Sequence, residues 1–171
     1  MNIIKVVVLG ESGVGKTSLM NRYIKNSFDE YQWFTITTNY LTKQIKYKDQ
    51  EYKLDIWDTA GRQNFRALNK IFLKDVNIII LVYDITIKSS FLELQYWLDL
   101  ILEKYSGTFL ILVGNKNDLS INRKIKKSYG EKFANVIHAV FTEANAKDNN
   151  TDWNDFLENT FINYLKIKEG N

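Results

Sequence analysis

Gly10-Glu11-Ser12-Gly13-Val14-Gly15-Lys16-Thr17 follows directly on an apolar run, Ile3–Leu9, and leads into a helical pattern marked by Leu19, Tyr23 and Ile24. The octapeptide fits G-x-x-x-x-G-K-[ST], and a strand before it with a helix after it is the context that gives the pattern meaning. A Gly-rich turn matching by chance would need neither neighbour. The glycines let the backbone close into a nest of N–H donors, and the start of the helix adds its partial positive charge. Ser12, Gly13, Val14, Gly15, Lys16, Thr17 and Ser18 are therefore the candidate phosphate-binding residues. Lys16 is expected to reach the β- and γ-phosphates, and the Thr17 hydroxyl to ligate Mg²⁺. The expectation is a nucleoside triphosphate site.

Composition narrows the classes further. At 171 residues the chain suits a single domain spanning 1–171. Its 45% hydrophobic and 25% charged residues sit in the ordinary globular range. The absence of cysteine excludes a disulfide framework, a thiol nucleophile, a cysteine-built zinc site and any cysteine-borne lipid on this chain. One histidine, His138, argues against a histidine metal cluster or a Ser-His-Asp mechanism and reads as structural. The net charge of +3 comes from scattered lysines, so no nucleic-acid partner is expected. Lys124, Lys126, Lys127 and Lys132 read as a solvated helix face. No apolar run approaches a membrane span and the start lacks a signal-peptide pattern, so a soluble, cytoplasmic domain is expected.

Short apolar runs at Ile3–Leu9, Lys53–Trp57, Ile78–Tyr83, Phe109–Val113 and Ala139–Phe141 read as strands. Their apolarity is continuous rather than alternating, which fits strands covered on both faces. Helical stripes run through Phe91, Leu94, Trp97, Leu98, Ile101 and Leu102, and through Trp153, Phe156, Leu157, Thr160, Phe161 and Tyr164. Asn39–Tyr47 and Glu51–Trp57 are separated only by Lys48-Asp49-Gln50, too little for a crossover, so they must pair antiparallel. The fold class is α/β: a six-stranded, mostly parallel sheet with one antiparallel edge strand and helices on both faces. Ligands of such a sheet bind beyond the carboxyl ends of its parallel strands, which is where the motifs fall.

Asn115-Lys116-Asn117-Asp118 follows the strand Phe109–Val113 and selects the base. A carboxylate at Asp118 can accept from both N1–H and N2–H₂ of guanine, whereas adenine offers no such donor pair. With Trp57-Asp58-Thr59-Ala60-Gly61 and Leu81-Val82-Tyr83-Asp84-Ile85-Thr86, the order and spacing of these motifs resemble the small GTPases of the Ras superfamily, which are P-loop NTPase G-domains. Lys53-Leu54-Asp55-Ile56-Trp57, Ser90-Phe91 and Tyr96-Trp97-Leu98 are similar to the Rab branch, and the resemblance runs from about Ile3 to Leu165.

The resemblance implies a set of roles. Phe28 would pack on guanine, and Thr35 would ligate Mg²⁺ when a γ-phosphate is present. Asp58 would hold Mg²⁺ through water, and the Gly61 N–H would contact the γ-phosphate. Asn115, Lys116 and Asp118 form the base motif. Asn145-Ala146-Lys147 stands where the family has Ser-Ala-Lys, with the Ala146 N–H offered to the guanine oxygen and the Lys147 stem beside the base. Tyr40, Trp57 and Phe72 correspond to effector-facing aromatics, which implies effector, exchange-factor and activating-protein partners. The implied work is that of a monomeric GTP/GDP switch, with Mg²⁺, in vesicle traffic.

Three features depart from the family pattern. Arg62 stands at the place of the hydrolytic glutamine, and a guanidinium has five donors but no acceptor for the attacking water. Gln63, one residue later, substitutes only if the loop shifts. Slow intrinsic hydrolysis is expected, with Lys16, Gly61, Arg62 and Gln63 as the candidate catalytic set. Activating proteins that supply an arginine and a glutamine in trans would restore the rate.

Second, Ile36-Thr37-Thr38-Asn39-Tyr40 replaces Ile-Gly-Val-Asp-Phe, and a β-branched Thr37 resists positive φ. Beside it, Trp33 and Phe34 suit a partner surface and packing over the nucleotide edge or the core equally well. Third, the chain stops at Lys166-Ile167-Lys168-Glu169-Gly170-Asn171, without a prenylated-cysteine tail. A trimmed chain, a domain of a longer protein and a family member without that anchor all fit, so membrane association would need a tail or partner absent here.

Two functions follow. One is a switch with slow GTP hydrolysis; the other is a guanine-nucleotide-binding scaffold that neither switches nor usefully hydrolyses. A P-loop kinase or ATPase would leave Asn115–Asp118 unexplained.

Overall fold

The computed structural model describes residues 2–32, 35–61, 71–104, 107–149 and 151–170, so Trp33, Phe34, Arg62 and Gln63 lie outside the described residues. Strands β1 (Asn2–Leu9), β2 (Asn39–Tyr47), β3 (Gln50–Asp58), β4 (Ile78–Asp84), β5 (Phe109–Asn115) and β6 (Val140–Ala144) form one sheet in the order β2-β3-β1-β4-β5-β6. β2 pairs antiparallel with β3, and the other pairings are parallel. Helices α1 (Lys16–Lys25), α2 (Lys88–Leu92), α3 (Leu94–Lys104), α4 (Lys127–Val136) and α5 (Asp152–Gly170) accompany it, with a 3-10 turn over Asn117–Asn122.

The α/β expectation holds, and the reason is visible strand by strand. β4 is buried along its whole length, as a Val/Ile/Leu run under helices on both faces must be. On β1, Ile4, Val6 and Val8 face a layer containing Leu19, Met20 and Tyr23 of α1 and Trp153, Leu157 and Phe161 of α5. Val7 and Leu9 face the opposite layer, with Leu94, Trp97 and Ile101 of α3 and Ala134 of α4. The period of two thus sends alternate β1 side chains into two separate cores. Trp153 Nε1 donates to Leu19 O at 2.9 Å and ties α5 to α1.

Local boundaries differ from the sequence reading. Tyr47 pairs with Gln50, so the β2–β3 turn is only Lys48-Asp49, with Lys48 at φ 53°. β6 runs to Ala144 rather than stopping at Phe141, because its pairing with β5 continues through Thr142 and Glu143 on a half-buried strand at the sheet edge. The stripe from Phe91 to Leu102 is divided at Glu93 into α2 and α3. His138 lies just past α4, exposed, in a left-handed conformation with φ 54°. Lys124, Lys126, Lys127 and Lys132 are all exposed, but only Lys127 and Lys132 lie on α4; Lys124 and Lys126 precede it, so the expected helix face is half loop.

Among the described residues no helix is long and apolar enough to cross a membrane. β1 is flanked by β3 and β4, so the chain leaves it toward one side and returns on the other. Such a reversal opens a crevice at the carboxyl end of the strand, and the loop beginning at Gly10 sits there.

Candidate functional site

A cavity of about 360 Å³ lies at the carboxyl ends of the parallel strands. That is the size of a small-molecule site. Ser12, Gly13 and Gly15 border it from the loop after β1, and Lys16, Thr17 and Ser18 from the first turn of α1. Phe28, Thr35 and Gly61 line it from the loops around β2 and β3. Asn115, Lys116, Asp118, Ala146 and Lys147 close its far end. The phosphate and base motifs, nearly a hundred residues apart in the chain, therefore share one cleft.

The phosphate end is shaped by backbone. Gly13 and Gly15 have φ of 78° and 93°, and a Cβ on Gly15 would run into the Asn115 side chain. A Cβ on Gly61 would meet the backbone of Glu11 and Ser12, so only glycine lets that loop close on the phosphate loop. α1 begins without a side-chain cap or an acidic residue in its first turn, which leaves its orphan N–H groups available to an anion. Lys16 is 5% exposed, and its Nζ donates to Gly10 O and Glu11 O, each at 2.8 Å. Burial lowers its pKa to about 8, against the opposing pull of Asp58 and Glu11.

Beside it, three oxygen-bearing side chains converge. Thr17 Oγ1 donates to Asp58 Oδ2 at 2.6 Å and lies 2.6 Å from Thr35 Oγ1. Asn39 Nδ2 donates to the same carboxylate oxygen at 3.3 Å, while Asp58 Oδ1 is buried with no hydrogen-bond partner among the described residues. Burial raises the Asp58 carboxyl above its usual range; Thr17, Lys16 and Asn39 oppose the shift. Two hydroxyls and one carboxylate with an orphaned oxygen suit a hard divalent cation such as Mg²⁺. Among the described residues no group of three or more His, Cys, Asp or Glu forms a cation cage. Thr37 is not among the residues with positive φ, in keeping with its branched side chain.

The base end is bolted to the phosphate end. Asn115 Nδ2 donates to Val14 O at 2.7 Å, beneath the loop, where Val14 itself is buried. Lys116, at φ 66°, donates from Nζ to Gly13 O at 2.8 Å and pairs with Asp84 Oδ2 at 2.7 Å. Asp84, at the end of β4, also accepts from the Thr86 N–H and hydroxyl. Asp118 lies in the first turn of the 3-10 segment on the cleft rim, exposed, and Lys147 Nζ lies 3.3 Å from Glu30 across the opening. Phe28 also lines this cleft, 36% exposed.

Not every candidate faces the cleft. The Asn145 amide donates to Asn117 Oδ1 at 2.8 Å and Asp148 Oδ2 at 2.9 Å and accepts from the Asp148 N–H, so it braces the loop from behind. Asp58 is buried under the cavity floor. Tyr40, Trp57 and Phe72 stack in a row on the β2–β3 side, with ring centroids 4.9 and 5.0 Å apart. The predicted Arg62 and Gln63 lie outside the described residues. Sequence reasoning missed Arg22, which bonds the Ala146–Asn149 loop from α1, and the anchoring role of Asp84. No short-range pattern marks Arg22, because its loop partners lie more than 120 residues away.

The family profile described as "Ras family" matches residues 5–164. The chain is 40% identical over 149 residues to Ras-related protein Rab-12 of Mus musculus and, to the same extent, to Ras-related protein Rab-12 of Homo sapiens. Each match covers 85% of this chain and 61% of the relative, so the chain spans about three fifths of the length of the curated relatives it matches.

Proposed function

The chain belongs to the Ras family, and on that premise we propose that it is a Rab-like, guanine-nucleotide-dependent switch that hydrolyses GTP slowly. The observation that carries this reading is the single cleft bordered by the phosphate loop at one end and by Asp118, Ala146 and Lys147 at the other. A nucleotide spanning it would place its phosphates against Lys16 and the N-terminus of α1, and its base between Phe28, Asp118 and the Ala146 N–H.

In this reading Lys16 neutralises the β- and γ-phosphates in a site where burial makes its charge effective. Thr17, Thr35 and Asp58 would hold Mg²⁺, which supplies charge neutralisation between the phosphates when bound. The γ-phosphate would order the segments carrying Thr35 and Gly61, and hydrolysis would release them. Arg62, with donors only, cannot accept from the attacking water, so intrinsic turnover is slow. Exchange, activating and effector proteins would meet the switch face at Tyr40, Trp57 and Phe72, in vesicle traffic, with the protein acting as a monomer. An activating protein would provide the missing catalytic groups.

One observation favours a second reading, a nucleotide-binding scaffold that does not switch. Thr35 Oγ1 lies 2.6 Å from Thr17 Oγ1, so side chains of the chain itself can hold the segment carrying Thr35 against the start of α1. Two measurements test both readings. Equilibrium binding with Mg²⁺ is expected to favour GDP over ADP by about a thousandfold or more, because adenine cannot satisfy the Asp118 carboxylate. Comparable affinity for ADP overturns the guanine reading. Hydrogen exchange around Thr35 is expected to be slower with a non-hydrolysable GTP analogue than with GDP; identical protection replaces the switch with the scaffold.

A further inference from the structure

We propose that Arg22 is a positioning residue for base recognition, holding the Ala146 N–H in place against the guanine carbonyl oxygen. The inference rests on the guanine reading above and adds the side chain that enforces it.

Arg22 sits in the last turn of α1 and is only 5% exposed. Its Nε donates to Ala146 O at 2.9 Å, Nη2 to Lys147 O at 3.3 Å and Nη1 to Asn149 Oδ1 at 2.9 Å. Nη1 also reaches Asn26 O at 2.9 Å and Asn26 Oδ1 at 3.2 Å. One planar group thus joins two segments that flank the base end of the cleft: the residues leading to Phe28, and the loop carrying Ala146 and Lys147.

Ending the helix does not require this arrangement. Asn26 already closes α1 in a left-handed conformation, with its N–H on the Arg22 and Asn21 carbonyls. Among these contacts every acceptor is a neutral carbonyl or amide oxygen. A buried guanidinium with no carboxylate partner among the described residues is expensive, and what it provides here is a fixed fork that locks two successive carbonyls of one loop. From the other side Asn145 is tied to Asn117 and Asp148, so Ala146 is held on both flanks. A recognition donor that belongs to the backbone has no side chain to aim it. Its direction depends on what fixes the peptide planes around it, and Arg22 fixes them from the helix that also carries Lys16 and Thr17.

The test compares dissociation constants for GDP, 6-thio-GDP and inosine diphosphate in the wild type, Arg22→Lys and Asn149→Ala. Replacing the guanine carbonyl oxygen by sulfur weakens the acceptor facing Ala146, and its accompanying effect on N1–H is the same in every variant and cancels in the comparison, whereas inosine lacks the amino group facing Asp118. Arg22→Lys keeps the charge and stem but loses the fork. The preference for GDP over 6-thio-GDP is expected to fall about fivefold or more in Arg22→Lys, while the preference over inosine diphosphate changes by less than about twofold. Asn149→Ala, which leaves α1 intact, is expected to move the first ratio in the same direction by a smaller factor. It decides the matter if Arg22→Lys does not fold. Equal weakening toward all three nucleotides, with both ratios unchanged, makes Arg22 a structural residue and overturns the proposal. A wild type that binds neither GDP nor its analogues overturns the guanine reading itself.

Discussion

Lys16 is placed where, on the proposed reading, its charge would serve a phosphate, and where it burdens the fold. Burial lowers its pKa from 10.5 to about 8, which corresponds to about 3 kcal/mol of unfavourable desolvation as an order of magnitude. Its two carbonyl contacts, to Gly10 and Glu11, offset part of that. In Lys16→Met, GDP affinity is expected to fall by about a hundredfold or more, while the nucleotide-free protein unfolds at an equal or higher denaturant concentration. Urea unfolding and nucleotide titration read the two effects separately; a clear loss of stability would mean that the carbonyl contacts outweigh desolvation. Lys16, Thr17 and Asp118 are legible in the sequence because each belongs to a contiguous motif whose spacing the backbone enforces. Arg22 and Asn39 are not. Asn39 meets Asp58 only because β2 folds back along β3, and Arg22 meets Ala146 only because α1 lies beside the loop after β6.

The packing of α4 on the sheet shows the same dependence at the level of elements. A Cβ on Gly130 would lie 2.5 Å from the Tyr83 hydroxyl and 2.6 Å from the Phe141 ring. Ala is the better helix former by about 1 kcal/mol, yet the crowding is larger, and Gly130→Ala is expected to destabilise by about 1–3 kcal/mol in urea unfolding. Tyr83→Phe removes the nearer of the two obstacles and should recover part of that loss in the double variant. The Tyr83 hydroxyl is buried without a hydrogen-bond partner among the described residues. Burial, and secondarily Glu143, pushes its pKa well above the usual tyrosine value, with Arg123 opposing. Folded protein therefore keeps that proton where the unfolded chain releases it, so stability falls as pH rises beyond about 10. Tyr83→Phe is expected to flatten this alkaline limb in unfolding curves taken across that range. An unchanged limb would assign the alkaline loss to other groups. The sequence shows strands β1, β4 and β5 plainly, since both faces are apolar. It understates β6, whose Thr142 and Glu143 take strand geometry from the neighbouring β5 rather than from their own character.

For the whole molecule the open quantity is turnover. Single-turnover GTP hydrolysis with Mg²⁺ is expected to be slow in the protein as it stands and faster by about tenfold or more in Arg62→Gln, a barrier change of about 1.4 kcal/mol. Equal inertness of both proteins would shift the defect to the segment around Thr37 and favour the scaffold. Family, fold class and the two nucleotide motifs were all within reach of the sequence. Motif residues are neighbours in the chain, and covalent geometry alone carries them into place. The joining of those motifs was not within reach. Lys116 bridging Asp84 and Gly13, Asn115 under Val14, and Arg22 clamping Asn26 to Ala146 and Asn149 each unite segments brought together by crossovers and packing. One-dimensional spacing holds no record of such contacts, because the distance between those segments exists only after β1, β4, β5 and β6 have taken their order in the sheet.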